Sequence, residues 1–152
     1  MLQEGDKAPV FKVLTDSGEE FDLAKHQNER IVLYFYPRAD TPGCTIESCE
    51  FRDAAKKFTK KGVTILGISP DTTKDQLKFK EKFDLNFTLL ADADHAVADL
   101  YGTWGEKSMY GRTYMGVARS TFIIDADGVV AHVIPKASPK THDEQVLALL
   151  AS

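Results

Sequence analysis

The sequence predicts an α/β protein with a central mixed sheet flanked by helices. Three observations carry that prediction. Two continuous apolar runs, "RIVLYFYP" (Arg30–Pro37) and "VTILGIS" (Val63–Ser69), are rich in β-branched and aromatic residues and have the length of strands buried on both faces. Each is followed by a segment with helical spacing. Near the end, two more apolar runs flank Ala126-Asp127-Gly128, where Asp-Gly is a strong hairpin signal. Parallel strands joined by helices and a closing antiparallel hairpin make a mixed sheet.

Taken in order, "FKVLTDSGEEFDL" (Phe11–Leu23) reads as two short strands around a turn at Gly18, an N-terminal hairpin extension. Arg30–Pro37 is the first central strand. Pro37 has no N–H to give to a ladder and ends it. The helix after it has Thr41 as a candidate N-cap, Pro42 in the first turn and Gly62 as its stop. Its apolar stripe is read as Ile46, Phe51, Ala54, Ala55 and Phe58. Val63–Ser69 is the second strand. Thr73–Asp84 is a helix with Leu77, Phe79 and Phe83 among charges, Phe87–Asp92 a strand and Asp94–Gly102 a short helix. Residues Gly102–Val117, rich in glycine and aromatics, read as a loop. "RSTFIID" and "VVAHVIP" form the closing hairpin, and Thr141–Ser152 an amphipathic helix.

A chain of 152 residues is expected to be one domain, 1–152, large enough to need no staples. A net charge of -4 and a pI near 5.5 argue against nucleic acid or an anionic membrane as partner. The lysines of "KKFTKK" (Lys56–Lys61) fall at a helix end, where cations complement the dipole. "MLQEGDKAPV" lacks the basic flank and apolar core of a signal peptide, and no run has the ~18 apolar residues of a membrane span. The expected location is the cytoplasm, where thiols are kept reduced.

Cys44 and Cys49 are the only cysteines. Cys44 falls in the first turn of its helix, after a strand that ends at the carboxyl edge of the sheet. Unsatisfied N–H groups there favour a thiolate, the nucleophilic form. The alternative is a small buried residue. Five residues along an ideal helix rise ~7.5 Å and turn ~140°, so the two Cα atoms stand ~8.7 Å apart. A disulfide requires roughly 4.4–6.8 Å. The thiols therefore cannot bond while the helix stands, and the pair reads either as a switch or as two unrelated cysteines. His26, His95, His132 and His142 are scattered without ligand spacing, so no metal site is expected. They read as surface or capping residues, and nothing selects one as partner to a cysteine.

Pro37-x-x-x-Thr41-x-x-Cys44 matches the P-x-x-x-T-x-x-C motif of the peroxiredoxins, and "CTIESCEFRD" is similar to their PrxQ, or bacterioferritin comigratory protein, subfamily. "GDKAPVF", "LGISPD", "NFTLLAD", "YGTWGEKSMYGRTYMGVARSTFIID" and "DGVVAHV" extend the resemblance over nearly the whole chain. The resemblance implies a thioredoxin-like fold and a thiol peroxidase of the atypical two-cysteine type, acting in antioxidant defence and redox homeostasis. Cys44 would be the peroxidatic cysteine, attacking hydrogen peroxide or an organic hydroperoxide. Cys49 would resolve the sulfenic acid as an intramolecular disulfide, which thioredoxin or a similar dithiol protein would reduce. Arg119 would face the thiolate, Thr41 would hydrogen-bond the sulfur and peroxide, and Pro37 would shape and shield the pocket. Glu47 would organise the loop or Arg119, or be a solvated helix residue. No cofactor is implied, and a monomer is expected. The rival readings are a general thiol–disulfide oxidoreductase, disfavoured by the four-residue gap between the cysteines, and a redox sensor using the same switch.

Overall fold

The computed structural model describes residues 1–150. Its strands are β1 (Lys12–Thr15), β2 (Glu20–Asp22), β3 (Arg30–Phe35), β4 (Val63–Ser69), β5 (Thr88–Ala91), β6 (Trp104–Met109), β7 (Arg112–Val117), β8 (Ser120–Ile124) and β9 (Val130–Ile134). Its helices are α1 (Pro42–Lys60), α2 (Thr73–Phe83), α3 (Ala96–Tyr101) and α4 (His142–Leu150). Ala151 and Ser152, the end of the last expected helix, lie outside the described residues.

One seven-stranded sheet has the order β2-β1-β5-β4-β3-β8-β9. β3, β4 and β5 are parallel, while β1, β8 and β9 join antiparallel. The mixed sheet flanked by helices is the expected architecture. The N-terminal hairpin is more than an appendage, because β1 pairs with β5 and carries the sheet outward.

Period-two alternation along β3 divides the core. Val32, Tyr34 and Tyr36 pack with Phe51 and Phe58 of α1, Phe79 of α2 and Val146 of α4. Ile31, Leu33 and Phe35 face the other way, toward Phe11, Val97 and Tyr101. β3 is thus sealed on both sides, and its carboxyl end delivers the chain directly to α1.

Three expectations are corrected. Residues 104–117 are not a loop but a separate two-stranded hairpin, β6 with β7. Its turn, Tyr110-Gly111, has φ of 51° and 76°, a conformation that suits hairpin twist. Tyrosine gives no turn signal there, and most of the hairpin's residues are exposed or half-exposed, so no alternation marks the strands. In α1 the buried stripe is Cys44, Glu47, Ser48, Phe51, Ala54 and Phe58, while Ile46 is 40% exposed. In α2 the buried positions are Gln76 and Phe79, and Leu77 lies outward.

Gly67 of β4 sits beside Tyr34 in the parallel register. A Cβ there would lie 2.8 Å from the Tyr34 ring and 2.9 Å from Leu89 Cδ2. The bare glycine lets the tyrosine lie across the sheet and reach Ser48 Oγ of α1 at 2.9 Å. Gly67→Ala is expected to cost about 1–3 kcal/mol by overpacking. A lowered denaturant midpoint at unchanged m-value checks it.

Candidate active site

The loop from β3 to α1 is built before any reactive group enters it. Tyr36 N–H still donates to Ile68 O at 3.0 Å, and half-buried Pro37 then ends the ladder. Beyond it, Ala39 N–H donates to Asp71 Oδ2 at 2.8 Å, an oxygen that also accepts from Ser69 Oγ at 2.6 Å. Buried Gln76 ties this together. Its amide donates to Ser69 Oγ and Leu90 O, and its Oε1 accepts from Tyr36 Oη at 2.6 Å. Sequence reading missed Asp71 and Gln76, because a glutamine on a charged helix carries no signal of burial.

Thr41 occupies the N-cap position with extended backbone, but its side chain caps nothing. It does not bond the Cys44 sulfur either. Its hydroxyl donates to Arg38 O at 2.9 Å. The proton is therefore committed within the loop, and the oxygen lone pairs are left as acceptors.

Cys44 is 0% exposed in the first turn of α1. Its Sγ accepts from Arg119 Nη2 at 3.3 Å, and Arg119 Nη1 donates to Glu47 Oε1 at 2.9 Å. The guanidinium thus bridges two groups one helical turn apart. Antiparallel pairing of Phe35 with Ser120 brings Arg119 alongside the end of β3. Burial works against its charge, but the sulfur and carboxylate outweigh burial, and its proton is held more firmly than usual. Its side chain is only 18% exposed. Gly43 leaves room for it, since a Cβ there would stand 3.0 Å from Nη2 and 3.6 Å from Pro139 Cγ.

Glu47 is not a solvated helix residue but wholly buried. Burial, opposed by Arg119, raises its carboxyl from 4.5 to about 7. His142, read from sequence as surface or capping, is also wholly buried at the start of α4. Its Nε2 lies 2.5 Å from Thr121 Oγ1 and 3.8 Å from Glu47 Oε2, and its ring meets Phe51 edge-on. Burial first, then Arg119, lowers it from 6.5 to about 4, so the imidazole is neutral. Lys107 of β6 supplies a further half-buried cation. Its Nζ donates to Val117 O at 3.0 Å, and it lies close enough to feel both Arg119 and Cys44.

Both cysteines are free, Cys44 buried and Cys49 half-buried on the same unbroken helix. Among the described residues, no group of three or more His, Cys, Asp or Glu could hold a metal ion, and no helix is long and apolar enough to cross a membrane.

A mixed sheet of this order, with a buried thiol at a helix N-terminus against a guanidinium, defines a thiol protein of the thioredoxin-like class. Comparison with known proteins narrows the class. Residues 4–133 match the AhpC/TSA family. The chain is 46% identical over 146 residues to peroxiredoxin Bcp of Escherichia coli K12, covering 96% of this chain and 94% of that one. It is 44% identical over 149 residues to a putative peroxiredoxin bcp of Coxiella burnetii, covering 98% and 99%. Among solved structures, peroxiredoxin Q of Xanthomonas campestris superposes with a TM-score of 0.88 at 35% identity, covering 93% of this chain and 89% of that one. A structure of the bacterioferritin comigratory protein of that organism, concerned with alkyl peroxide reduction, gives 0.88 at 34% identity, covering 93% and 90%. The chain belongs to the AhpC/TSA family: it is a peroxiredoxin of the Bcp and PrxQ kind, an oxidoreductase that reduces peroxides with a thiol.

The two displaced titrations oppose one another in stability. With Glu47 raised from 4.5 to about 7, the folded state binds more protons, and its contribution falls as pH rises through that window. With His142 lowered from 6.5 to about 4, the unfolded state binds more protons, and stability rises between those values. Glu47→Gln is expected to leave a thermal midpoint that climbs more steeply with pH from 4 to 6.5 than in the wild type. His142→Gln is expected to bend the profile the other way. Melting curves across this range check both signs.

Proposed function

We propose that Cys44 is the peroxidatic cysteine, and the observation that carries this is Arg119 Nη2 at 3.3 Å from its buried sulfur. A thiolate there is stabilised by the guanidinium and by the N–H groups of the first turn of α1. It attacks one oxygen of the peroxide. The O–O bond breaks, a sulfenic acid forms on Cys44, and water or an alcohol leaves.

The neighbouring groups have distinct tasks. Arg119 offers donors to the peroxide oxygens as charge moves onto the leaving oxygen. Glu47 fixes the guanidinium from its other side. Thr41, its own proton held by Arg38 O, accepts from the O–H of the hydroperoxide. Pro37 ends β3 so that the loop turns over the sulfur. The O–O bond is weak, so position and electrostatics suffice, and neither cofactor nor metal has a step to perform.

Cys49 resolves the sulfenic acid. It must come from a helix that holds the two Cα atoms ~8.7 Å apart, beyond the reach of a disulfide. The first turns of α1 therefore unwind, which breaks Glu47–Arg119 and Tyr34–Ser48. The intramolecular disulfide is then reduced by thiol–disulfide exchange with thioredoxin or a similar dithiol protein. Because both thiols lie in one chain, a single-domain monomer completes the cycle. Hydrogen peroxide and organic hydroperoxides are the substrates, and the reducing cytoplasm is the setting.

Peroxide consumption coupled to a thioredoxin system tests the assignment. Cys44→Ser is expected to abolish turnover, and continued turnover would refute the mechanism. Cys49→Ser should consume about one peroxide per chain, then stall or over-oxidise. Normal cycling by that variant would remove Cys49 from the scheme. Arg119→Lys, which cannot span sulfur and carboxylate together, is expected to slow the reaction with peroxide by about 10²-fold.

A further inference from the structure

One guanidinium serves two acidic groups in this site. Arg119 donates to Cys44 Sγ and to Glu47 Oε1, from Nη2 and Nη1 respectively. If both were ionised, two buried anions would share one cation. Lys107, the other cation near the sulfur, gives its bond to Val117 O. An unmatched charge in a dry site is costly, and the usual remedy is a proton.

The unbonded buried oxygen of Glu47 is a place where such a proton fits. Glu47 Oε2 is buried and makes no hydrogen bond, an exposed weakness in a carboxylate but a natural place for a carboxyl O–H. His142 Nε2 lies 3.8 Å away, beyond hydrogen-bond distance, and already pairs with Thr121 Oγ1. His142 Nδ1 likewise makes no hydrogen bond, and Gln145, the neighbour that favours its charged form, is outweighed by burial and Arg119. Other groups bear on the pair. Glu50 lies one turn along α1, Tyr34 faces Glu47 from β3, and Gln145 adjoins His142 on α4. None of these is a cation. Burial favours protonated Glu47 and neutral His142 alike.

We propose that Glu47, backed by His142, is the proton store of the site: it holds a proton while Cys44 is a thiolate and releases it when peroxide discharges the sulfur. The inference rests on Cys44 being the thiol that peroxide oxidises. Once the sulfur is neutral, Arg119 belongs to Glu47 alone, and the ion pair favours the carboxylate. The chemistry needs this proton. Thiolate, thiol, hydroperoxide and one proton give disulfide, alcohol and water. The O–O bond breaks and the S–S bond forms. Two electrons pass from the sulfurs to the peroxide, and the proton neutralises the oxygen that leaves. Glu47 supplies it from within the site, and it is taken back when the thiolate is regenerated. His142 is a positioning residue in this scheme, since it acts through Glu47 and touches neither sulfur nor substrate.

Infrared difference spectroscopy of the reduced and peroxide-oxidised protein tests this directly, in the wild type and in Cys49→Ser, whose chemistry stops at the sulfenic acid with α1 still wound, at a pH below about 7, where Glu47 holds its proton. The same samples are assayed for free thiols and, in weak buffer with a pH dye, for proton uptake. The expected result is loss of a protonated-carboxyl band on oxidation, with well under one proton per chain taken from solvent. Glu47→Gln should lack that band and take up about one proton per chain. His142→Gln should keep the band but shift the pH at which it titrates. Thiol loss with no carboxyl change in the wild type would overturn the inference while leaving the role of Cys44 intact. The same band persisting in Glu47→Gln would also overturn it. Unchanged thiols would instead refute the assignment of Cys44, and the inference with it. The wild-type and Cys49→Ser spectra together decide even where the Glu47 or His142 variant fails to fold.

Discussion

The site depends on one guanidinium with two obligations. Arg119 bridges a sulfur in the first turn of α1 and a carboxyl in the next, so it fastens the helix start to the edge of β8. The same contact orders the buried sulfur and sets a positive charge beside it. Position and charge are therefore not separate features here. Anything that moves α1 moves both together, and this links the redox chemistry to local folding.

The supports behind that contact are polar and buried. On one side, Tyr36, Gln76, Ser69 and Asp71 form a connected network that ends on the backbone of the loop before Thr41. On the other, Ser48 is held by Tyr34, which lies across Gly67. Buried networks with each member satisfied give rigidity and a unique arrangement. The exceptions among the described residues are Glu47 Oε2, Glu50 Oε2 and His142 Nδ1, all on the paired helices α1 and α4. The polar deficit of the region thus lies on the helix pair that carries the thiol, as expected where a site trades stability for function.

Much of this was legible in the residues. The buried strands read as long β-branched runs, and proline, threonine and cysteine at fixed offsets located the start of α1. The active-site face of α1 was not legible. Apolar periodicity selects Ile46, yet the buried stripe that opens at Cys44 continues through Glu47 and Ser48, which a hydrophobic pattern counts as solvent-facing. His142 was missed for the same reason. Its burial comes from α4 packing on α1, a tertiary fact with no local trace. The β6–β7 hairpin escaped because few of its side chains are buried, leaving no alternation to read. Arg119 lies 75 residues from Cys44, and only the antiparallel register of β8 on β3 joins them. Family resemblance named that arginine where spacing could not.

The unbroken run of α1 through both cysteines has a consequence for timing. In the proposed cycle a sulfenic acid formed at Cys44 would wait until the first turns of the helix open, and its lifetime would be the waiting time of that opening. During that wait a second peroxide would compete with Cys49 for the same sulfur. The winding of a few residues therefore acts as a clock. A tighter Tyr34–Ser48 or Glu47–Arg119 contact runs it slower, and a looser one runs it faster. Peroxide concentration sets the rival rate, so the stability of two helical turns defines the exposure at which the protein stops cycling and starts to be spent.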